Sequence, residues 1–422
     1  MKIKACMLIT GHSALDDRIF YKEAITLNKA GYEIFEIVPL DKDGYITDMG
    51  KNPIAQSETT IDGINIIGFK EGTHSIWGLP KTWTLSQCLR LASSGKLNIG
   101  QDPYSELIKK GIEINADIYH CHEIASLYAG LKIKRELQKQ GKNPKLIYDV
   151  HEFWAAKSND KLSQKLWSKS VRSFEEKAFK NVDYFIAVNQ IIRSYILIQS
   201  GFVKTEVLYN GPVLCIFKDA KRKSNDSRVI ICHEGTLPFN RGLKEMLEVT
   251  SLLKVRYKGK VRFLIIGDVF GKEKAYYDEK VKELQIEDVI ERTGWLPYDE
   301  VWKATANADI GINFLDYKYE NNMFASAIKV FNYMRYGLPV VTVDVPETRR
   351  IVLDSECGVV VKERTPESLA SALSFLIDNP DIRRKMGENG KKAIIEEYNW
   401  EAMEKRLLRI YEELISTSKY VM

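Results

Sequence analysis

Several things that would fix the class of this chain at once are missing from it. No window approaches ~20 uninterrupted apolar residues, so no bilayer-spanning helix is expected. The start, Met1 to Thr10, sets basic residues before an apolar stretch too short for a signal peptide, and it reads as a first strand. Six cysteines, Cys6, Cys88, Cys121, Cys215, Cys232 and Cys357, include no Cys-x-x-Cys pair. They read as buried free thiols of a cytoplasmic protein. No Gly-x-Gly-x-x-Gly follows a strand, which removes the main support for nicotinamide binding. No repeat or low-complexity tract stands out. Charge of one sign is lacking too: 62 basic residues face 57 acidic ones, a net +5. That balance does not predict nucleic-acid binding, but it suits anionic nucleotides or an anionic membrane face.

What is present is ample core material. With 422 residues, 45% hydrophobic and 28% charged, the chain exceeds what one core organises, and two domains are expected. Short β-branched runs alternate with amphipathic segments, the pattern of parallel sheets covered by helices. Strands are predicted at 5–10, 33–39, 64–67, 117–120, 145–149 and 183–188. A charged stretch without apolar period, Lys218 to Asp226, reads as a linker. The pattern then restarts at 229–233, 261–266, 309–314, 339–343 and 358–361, with a short strand before Gly294. The last helix carries Trp400, Met403, Leu407, Ile410, Tyr411 and Leu414 on one stripe. Residues 70–105, with Trp77, Trp83, Lys81 and Arg90, form an amphipathic segment that suits either packing on a sheet or contact with a bilayer surface.

In doubly wound sheets, ligands gather beyond the carboxyl ends of strands. There the chain places Thr10-Gly11-His12-Ser13 before Asp16-Asp17-Arg18, then His120, His122 and Glu123, then His151 and Glu152. His120, His122 and His151 with Glu123 and Glu152 invite a metal reading, although spacing alone specifies no site. Asp41-Lys42-Asp43 runs into Gly44 and reads as a solvated turn. His233 to Lys244 is a strand, a loop with Gly235, Thr236 and Arg241, and a helix start, which suits a diphosphate. Along 324–341, Ile328, Phe331 and Met334 share one helical face, and Lys329 and Asn332 sit three apart on a neighbouring face. Gly337 ends the helix and Pro339 opens a strand.

The run Phe-Ala-Ser-Ala-Ile-Lys-Val-Phe-Asn-Tyr-Met-Arg-Tyr-Gly-Leu-Pro-Val-Val resembles the donor-binding segment of retaining glycosyltransferases of family four, written Ser-Pro-x-Lys-Leu-Phe-Glu-Tyr-Met-x-x-Gly-Leu-Pro-Val-Val. The Asp16-Asp17-Arg18 loop, Asp149-Val150-His151-Glu152, the Arg241 loop and Gly294-Trp295-Leu296-Pro297 extend the resemblance over nearly the whole chain. It implies an α/β protein of GT-B fold, with two facing Rossmann-like doubly wound domains and a C-terminal helix crossing back. The acceptor-side domain would be 1–212 plus 400–418, and the donor domain 213–399. The resemblance implies transfer of a hexose or aminohexose from a UDP-, GDP- or ADP-sugar to a hydroxyl acceptor, as in polysaccharide biosynthesis. Retention, no metal, and peripheral contact with a membrane are implied with it.

Carried over residue by residue, His151 lies near the transferred sugar, and Arg241 and Lys329 neutralise the diphosphate. Gly235, Thr236, Leu296, Phe324, Ala325, Ser326 and Asn332 complete the donor site, while His12, Asp16, His122 and Glu152 fall on the sugar or acceptor side. The chain departs from the pattern where family glutamates are replaced by Phe324 and Asn332. In the family a glutamate at that second position accepts from ribose hydroxyls. Asn332→Glu is therefore expected to give equal or tighter donor binding. Glu320, Asn321 and Asn322 are candidates for the missing polar contacts. Two rivals stay open: a nucleotide-sugar 2-epimerase of the same fold, and a non-catalytic binding subunit.

Overall fold

The computed structural model describes residues 2–72, 102–156, 162–214, 227–325 and 328–419. Most of the amphipathic segment around Trp77, the charged linker and Ser326 lie outside them. The chain divides into two compact units, Met1–Tyr209 with Met403–Met422, and Asn210–Ala402.

The first unit is built on strands β1 (Lys4–Ile9), β2 (Glu33–Pro39), β3 (Ile46–Thr47), β4 (Pro53–Ala55), β5 (Glu58–Ile61), β6 (Ile64–Phe69), β7 (Ile118–His122), β8 (Lys145–Val150), β9 (Tyr184–Ala187) and β10 (Thr205–Val207). Eight form one sheet in the order β10-β9-β8-β7-β1-β2-β6-β5, while β3 and β4 pair separately. All neighbours in the large sheet are parallel except β5 and β6. Burial on both faces explains why β1 reads as an unbroken apolar run: Ala5 to Ile9 are all buried. The sequence reading missed β5, although Asp62 and Gly63, both at positive φ (49° and 79°), form the two-residue turn that joins it to β6.

The second unit holds β11 (Val229–Glu234), β12 (Val261–Ile266), β13 (Ile290–Arg292), β14 (Ile310–Asn313), β15 (Val340–Val343) and β16 (Gly358–Val361). Their order is β13-β12-β11-β14-β15-β16, and every pairing is parallel. Its core joins Ile231, Phe263, Ile265, Ile310, Ile312 and Val341 with helix faces bearing Met246, Leu247, Leu253, Leu369 and Leu373. Both units are thus Rossmann-like α/β sheets. In each, the winding reverses beside the first strand, between β1 and β7 in one and between β11 and β14 in the other. These reversals open a crevice at the carboxyl ends of those strands, where ligands of such folds bind.

The last helix, Trp400–Lys419, buries all six residues of its apolar stripe, and from Met403 it belongs to the first unit. There Tyr411 Oη lies 3.0 Å from His120 Nδ1, and Lys204 pairs with Glu413 at 2.8 Å. The helix Ile328–Tyr336 corrects one expectation. Phe331 and Met334 are buried together with Val330 and Tyr333, but Ile328 is half exposed. Gly337, at φ 71°, ends it, and Leu338 N–H returns to the Tyr333 carbonyl at 2.9 Å. Among the described residues no helix is long and apolar enough to cross a membrane.

Candidate functional site

At the reversal point of the first sheet, the loops after β1, β7 and β8 assemble a polar cluster. His12 Nδ1 lies 3.0 Å from Asp16, and His12 Nε2 3.4 Å from Glu123. Burial opposes the imidazolium, but these two carboxylates outweigh it and raise His12 to about 10, while Asp16 is held at about 2 chiefly by His12 against its own burial. His151 reaches Asp149 with Nε2 at 3.1 Å and Glu123 with Nδ1 at 3.7 Å. His122 Nδ1 is 3.4 Å from His151 Nε2. The expected His12, Asp16, His122 and His151 therefore meet, and Glu152 sits one residue further on, partly buried.

Glu123 holds this arrangement in an unusual way. Its backbone adopts φ 80°, ψ 163°, a region that side chains rarely occupy, at a cost on the order of 1–3 kcal/mol. It precedes the helix Ile124–Lys139, yet its side chain caps no helix amide and turns to the histidines instead.

The residues that organise the cluster from below escaped sequence reading as site residues. Arg18 is buried and donates to Asp149 Oδ2 from both Nε (3.0 Å) and Nη2 (2.8 Å), lies 3.0 Å from Glu23, and donates to the Leu208 carbonyl at 3.0 Å. Burial would raise Asp149, but Arg18 keeps it well below the usual carboxylate range, whereas burial pushes Glu23 well above it. Burial also drives His120 down to about 3 and His122 well below its ordinary value, so both rings are neutral. Glu23, His120, His122 and Asp149 could together ligate a metal. The Arg18 guanidinium already pairs with two of them, Glu23 and Asp149. Elsewhere in this domain the Asp41 carboxylate accepts from Asp43 N–H at 3.0 Å and Tyr45 N–H at 2.8 Å, so it is spent on its own turn.

The second site lies at the other reversal point. After β11 the chain turns through Gly235, at φ 92°, where a Cβ would meet nothing within 4 Å, so the backbone stands open to a close ligand. Gly267 packs against that turn so tightly that a Cβ there would lie 2.5 Å from the Gly235 carbonyl oxygen. Arg241 is exposed and donates to Thr236 Oγ1 at 3.0 Å. Lys329 Nζ sits 3.0 Å from His233 Nε2. Burial and the charge of Arg241 lower Lys329 to about 7, and burial with Lys329 pushes His233 well down, so the ring accepts from the amine.

Next to these cations stands Glu234. Its Oε1 accepts from Asn332 Nδ2 at 2.6 Å, its Oε2 from Thr305 Oγ1 at 3.1 Å, and its N–H donates to Tyr333 Oη at 2.8 Å. Burial raises its carboxyl, and the hydrogen bonds from Asn332 and Thr305 work against the rise. Tyr333 lies across Gly311 of β14, where a Cβ would come within 2.3 Å of the ring. The sequence reading left Glu234 and Thr305 out of the site. A carboxylate one residue ahead of the glycine turn was the available signal.

Asn332 Nδ2 faces this carboxylate, so Asn332→Glu would set two acids within hydrogen-bond distance. The gain in donor binding expected from that substitution does not follow from this geometry. Asn322 is committed to carbonyls of Asn240 (3.0 Å) and Asp316 (2.9 Å), bracing the loop beside Arg241 and not standing in for a ligand contact. Leu296, Phe324 and Ala325 are partly buried, and Trp295 is 77% exposed rather than part of the core.

Residues 216–393 match the family described as glycosyl transferases group 1, and residues 91–212 match glycosyltransferase family 4. An uncharacterised glycosyltransferase of Methanocaldococcus jannaschii is 23% identical over 65% of this chain and 70% of its own length. An alpha-D-kanosaminyltransferase of Streptomyces kanamyceticus is 25% identical over 46% of this chain and 48% of its own. Among solved structures, sucrose-phosphate synthase from Thermosynechococcus elongatus superposes with a TM-score of 0.73 at 15% identity, covering 98% of this chain and all of that one. HepE of Anabaena, solved in complex with UDP, gives 0.68 at 13% identity over 97% of this chain and all of its own. With one matched segment in each domain and the fold shared along the whole chain, the protein is a glycosyltransferase of GT-B fold belonging with the group 1 and family 4 enzymes.

Proposed function

We propose that this glycosyltransferase moves a hexose or aminohexose from a nucleoside diphosphate sugar to a hydroxyl acceptor, with retention and without a metal ion. The observation that carries this reading is the pairing, at the reversal point of the second sheet, of an open glycine turn with two cations, Arg241 and Lys329. Negative charge grows on the diphosphate as the glycosidic bond breaks. Cations fixed beside it stabilise the transition state more than the ground state and take the place of a divalent ion.

The departing diphosphate oxygen helps accept the acceptor proton on the same face of the sugar, so no nucleophilic carboxylate is required. In the first domain His12, Glu123 and His151 offer imidazole and carboxylate groups for sugar hydroxyls, with orientations fixed by Asp16 and Asp149. The loop carrying the exposed Trp295 is assigned to the base by its resemblance to the family loop. The four described cysteines are buried and unpaired, in keeping with a cytoplasmic protein.

A screen of UDP-, GDP- and ADP-sugars against a saccharide acceptor panel, with and without EDTA, tests the proposal. Proton NMR of the product should show the donor's anomeric configuration preserved and a rate unchanged by EDTA. An inverted product would refute retention. Loss of activity restored by magnesium or manganese would refute metal independence, and an epimerised free nucleotide sugar would replace transfer with epimerisation.

A further inference from the structure

Asn332 offers only a neutral amide where a charged acceptor is expected, and the structure shows a carboxylate arriving from another element. Glu234 ends β11 and reaches across to the helix Ile328–Tyr336, where it meets Asn332 at 2.6 Å. An amide beside a carboxylate must present its N–H₂, which fixes the orientation of Asn332 and leaves its carbonyl oxygen available to a ligand. Each Glu234 oxygen takes one hydrogen bond, from Asn332 or from Thr305, and keeps a further lone pair. Glu234 remains partly accessible. Its backbone is held by the Tyr333 hydroxyl, itself bonded to the Ile312 carbonyl at 3.2 Å, so the carboxylate is fixed before any ligand arrives.

We propose that Glu234, oriented by Asn332, is the specificity-determining acceptor for the ribose hydroxyls of the nucleotide. This rests on the donor-site reading above. Glu234 directly precedes the Gly235-Thr236 turn and is followed by the cations, so a diphosphate lying on Arg241 and Lys329 carries its ribose into the neighbourhood of this acid. A carboxylate repels phosphate oxygens. What a nucleoside diphosphate can offer it there is the sugar's vicinal hydroxyls, two donors that match one carboxylate oxygen and the Asn332 carbonyl. Charged acceptors on paired hydroxyls discriminate sharply against analogues lacking them, because the acid is then left desolvated and unpaired. Relative to the family pattern, the acid has moved from helix to strand end and the amide has taken its former place.

The test pairs each ribonucleotide with its deoxy form. Binding of UDP and dUDP, GDP and dGDP, and ADP and dADP is measured by calorimetry on the wild type, Glu234→Gln, Asn332→Glu and the double variant, with thermal melting to confirm folding. The wild type should prefer the ribo form of its nucleotide by about tenfold or more. Glu234→Gln should abolish that preference, Asn332→Glu should weaken binding by setting two acids together, and the double variant should regain the preference because amide and acid have exchanged places. Glu234→Gln with an intact preference, or a folded double variant without recovery, would overturn the proposal. Arg241→Ala separates this from failure of the donor site itself. It should weaken ribo and deoxy forms alike, and if no diphosphate binds the wild type, the donor-site reading falls and takes this inference with it.

Discussion

The two crevices, each at a reversal of its sheet, dispose their charges differently. The first is closed upon itself: His12 is paired with Asp16 and Glu123, Asp149 with Arg18 and His151, and His120 and His122 are neutral. In the second, Arg241 is exposed, and among the described residues Lys329 donates to a neutral imidazole. In the first crevice the charges are paired with one another, and in the second two cations and Glu234 stand beside an open glycine turn. On the proposed function, that difference would separate a surface that orients an uncharged sugar or acceptor from one that takes a diphosphate.

Breaking the first crevice should therefore act on stability, and Arg18→Ala should give the largest effect. Removing a buried cation from between Asp149 and Glu23 costs about 3–5 kcal/mol. Asp149, depressed in the folded protein, contributes stability that is present above its unfolded value and lost as pH falls toward its folded one. That contribution depends on Arg18. The deficit of the variant, measured by urea unfolding, should be full at neutral pH and shrink below about pH 4. An equal deficit at all pH values would mean that packing, not charge, sets it.

The second crevice should respond through ligand protonation. Burial and the charge of Arg241 push Lys329 down to about 7, and a diphosphate beside it would restore the charge. Binding of a nucleotide sugar, whose phosphate diesters do not titrate in this range, should be flat below about pH 7 and weaken above it by up to about tenfold per unit. Lys329→Met should bind more weakly and without that slope. Calorimetry in buffers of different ionisation enthalpy checks the accompanying proton uptake, and its absence would remove Lys329 from the phosphate.

A smaller effect comes from outside both crevices. Glu36, in the middle of β2, is buried with neither carboxylate oxygen hydrogen-bonded to a described residue, and burial with the charge of Asp16 pushes it well above its ordinary value. A raised acid penalises folding as pH rises past its unfolded value near 4.5. Glu36→Gln should therefore raise the melting temperature by a few degrees at pH 7.5 and leave it unchanged at pH 4. An equal shift at both would show that the acid carries no penalty.

Interior strands were legible because burial writes them largely in apolar residues, so that 33–39 and 261–266 coincide with β2 and β12, and the edge strand β16 at 358–361, only partly buried, was legible from its run of three valines. Edge strands such as β5 and β10 are short and half exposed, and carry no such signature. Arg241, Lys329, His12, Asp16 and His151 could be placed because each stands at a strand end or a helix start. Arg18, Glu23 and Asp149 meet only in the folded chain, 131 positions apart in the case of Arg18 and Asp149, and no spacing announces such a pairing. Glu234 was hidden differently. Its partner Asn332 stands where the family pattern carries the acid itself, and no local spacing points from that helix to an acid 98 positions away.

The most direct test of the contrast between the crevices is calorimetric titration of UDP, GDP and ADP into the wild type and Arg241→Ala, with melting curves for both. At least one diphosphate should bind, and Arg241→Ala should lose about 1.5–3 kcal/mol of that affinity while melting as the wild type does. Unaltered affinity in Arg241→Ala, or no binding by the wild type, would contradict the assignment of the second crevice to the donor.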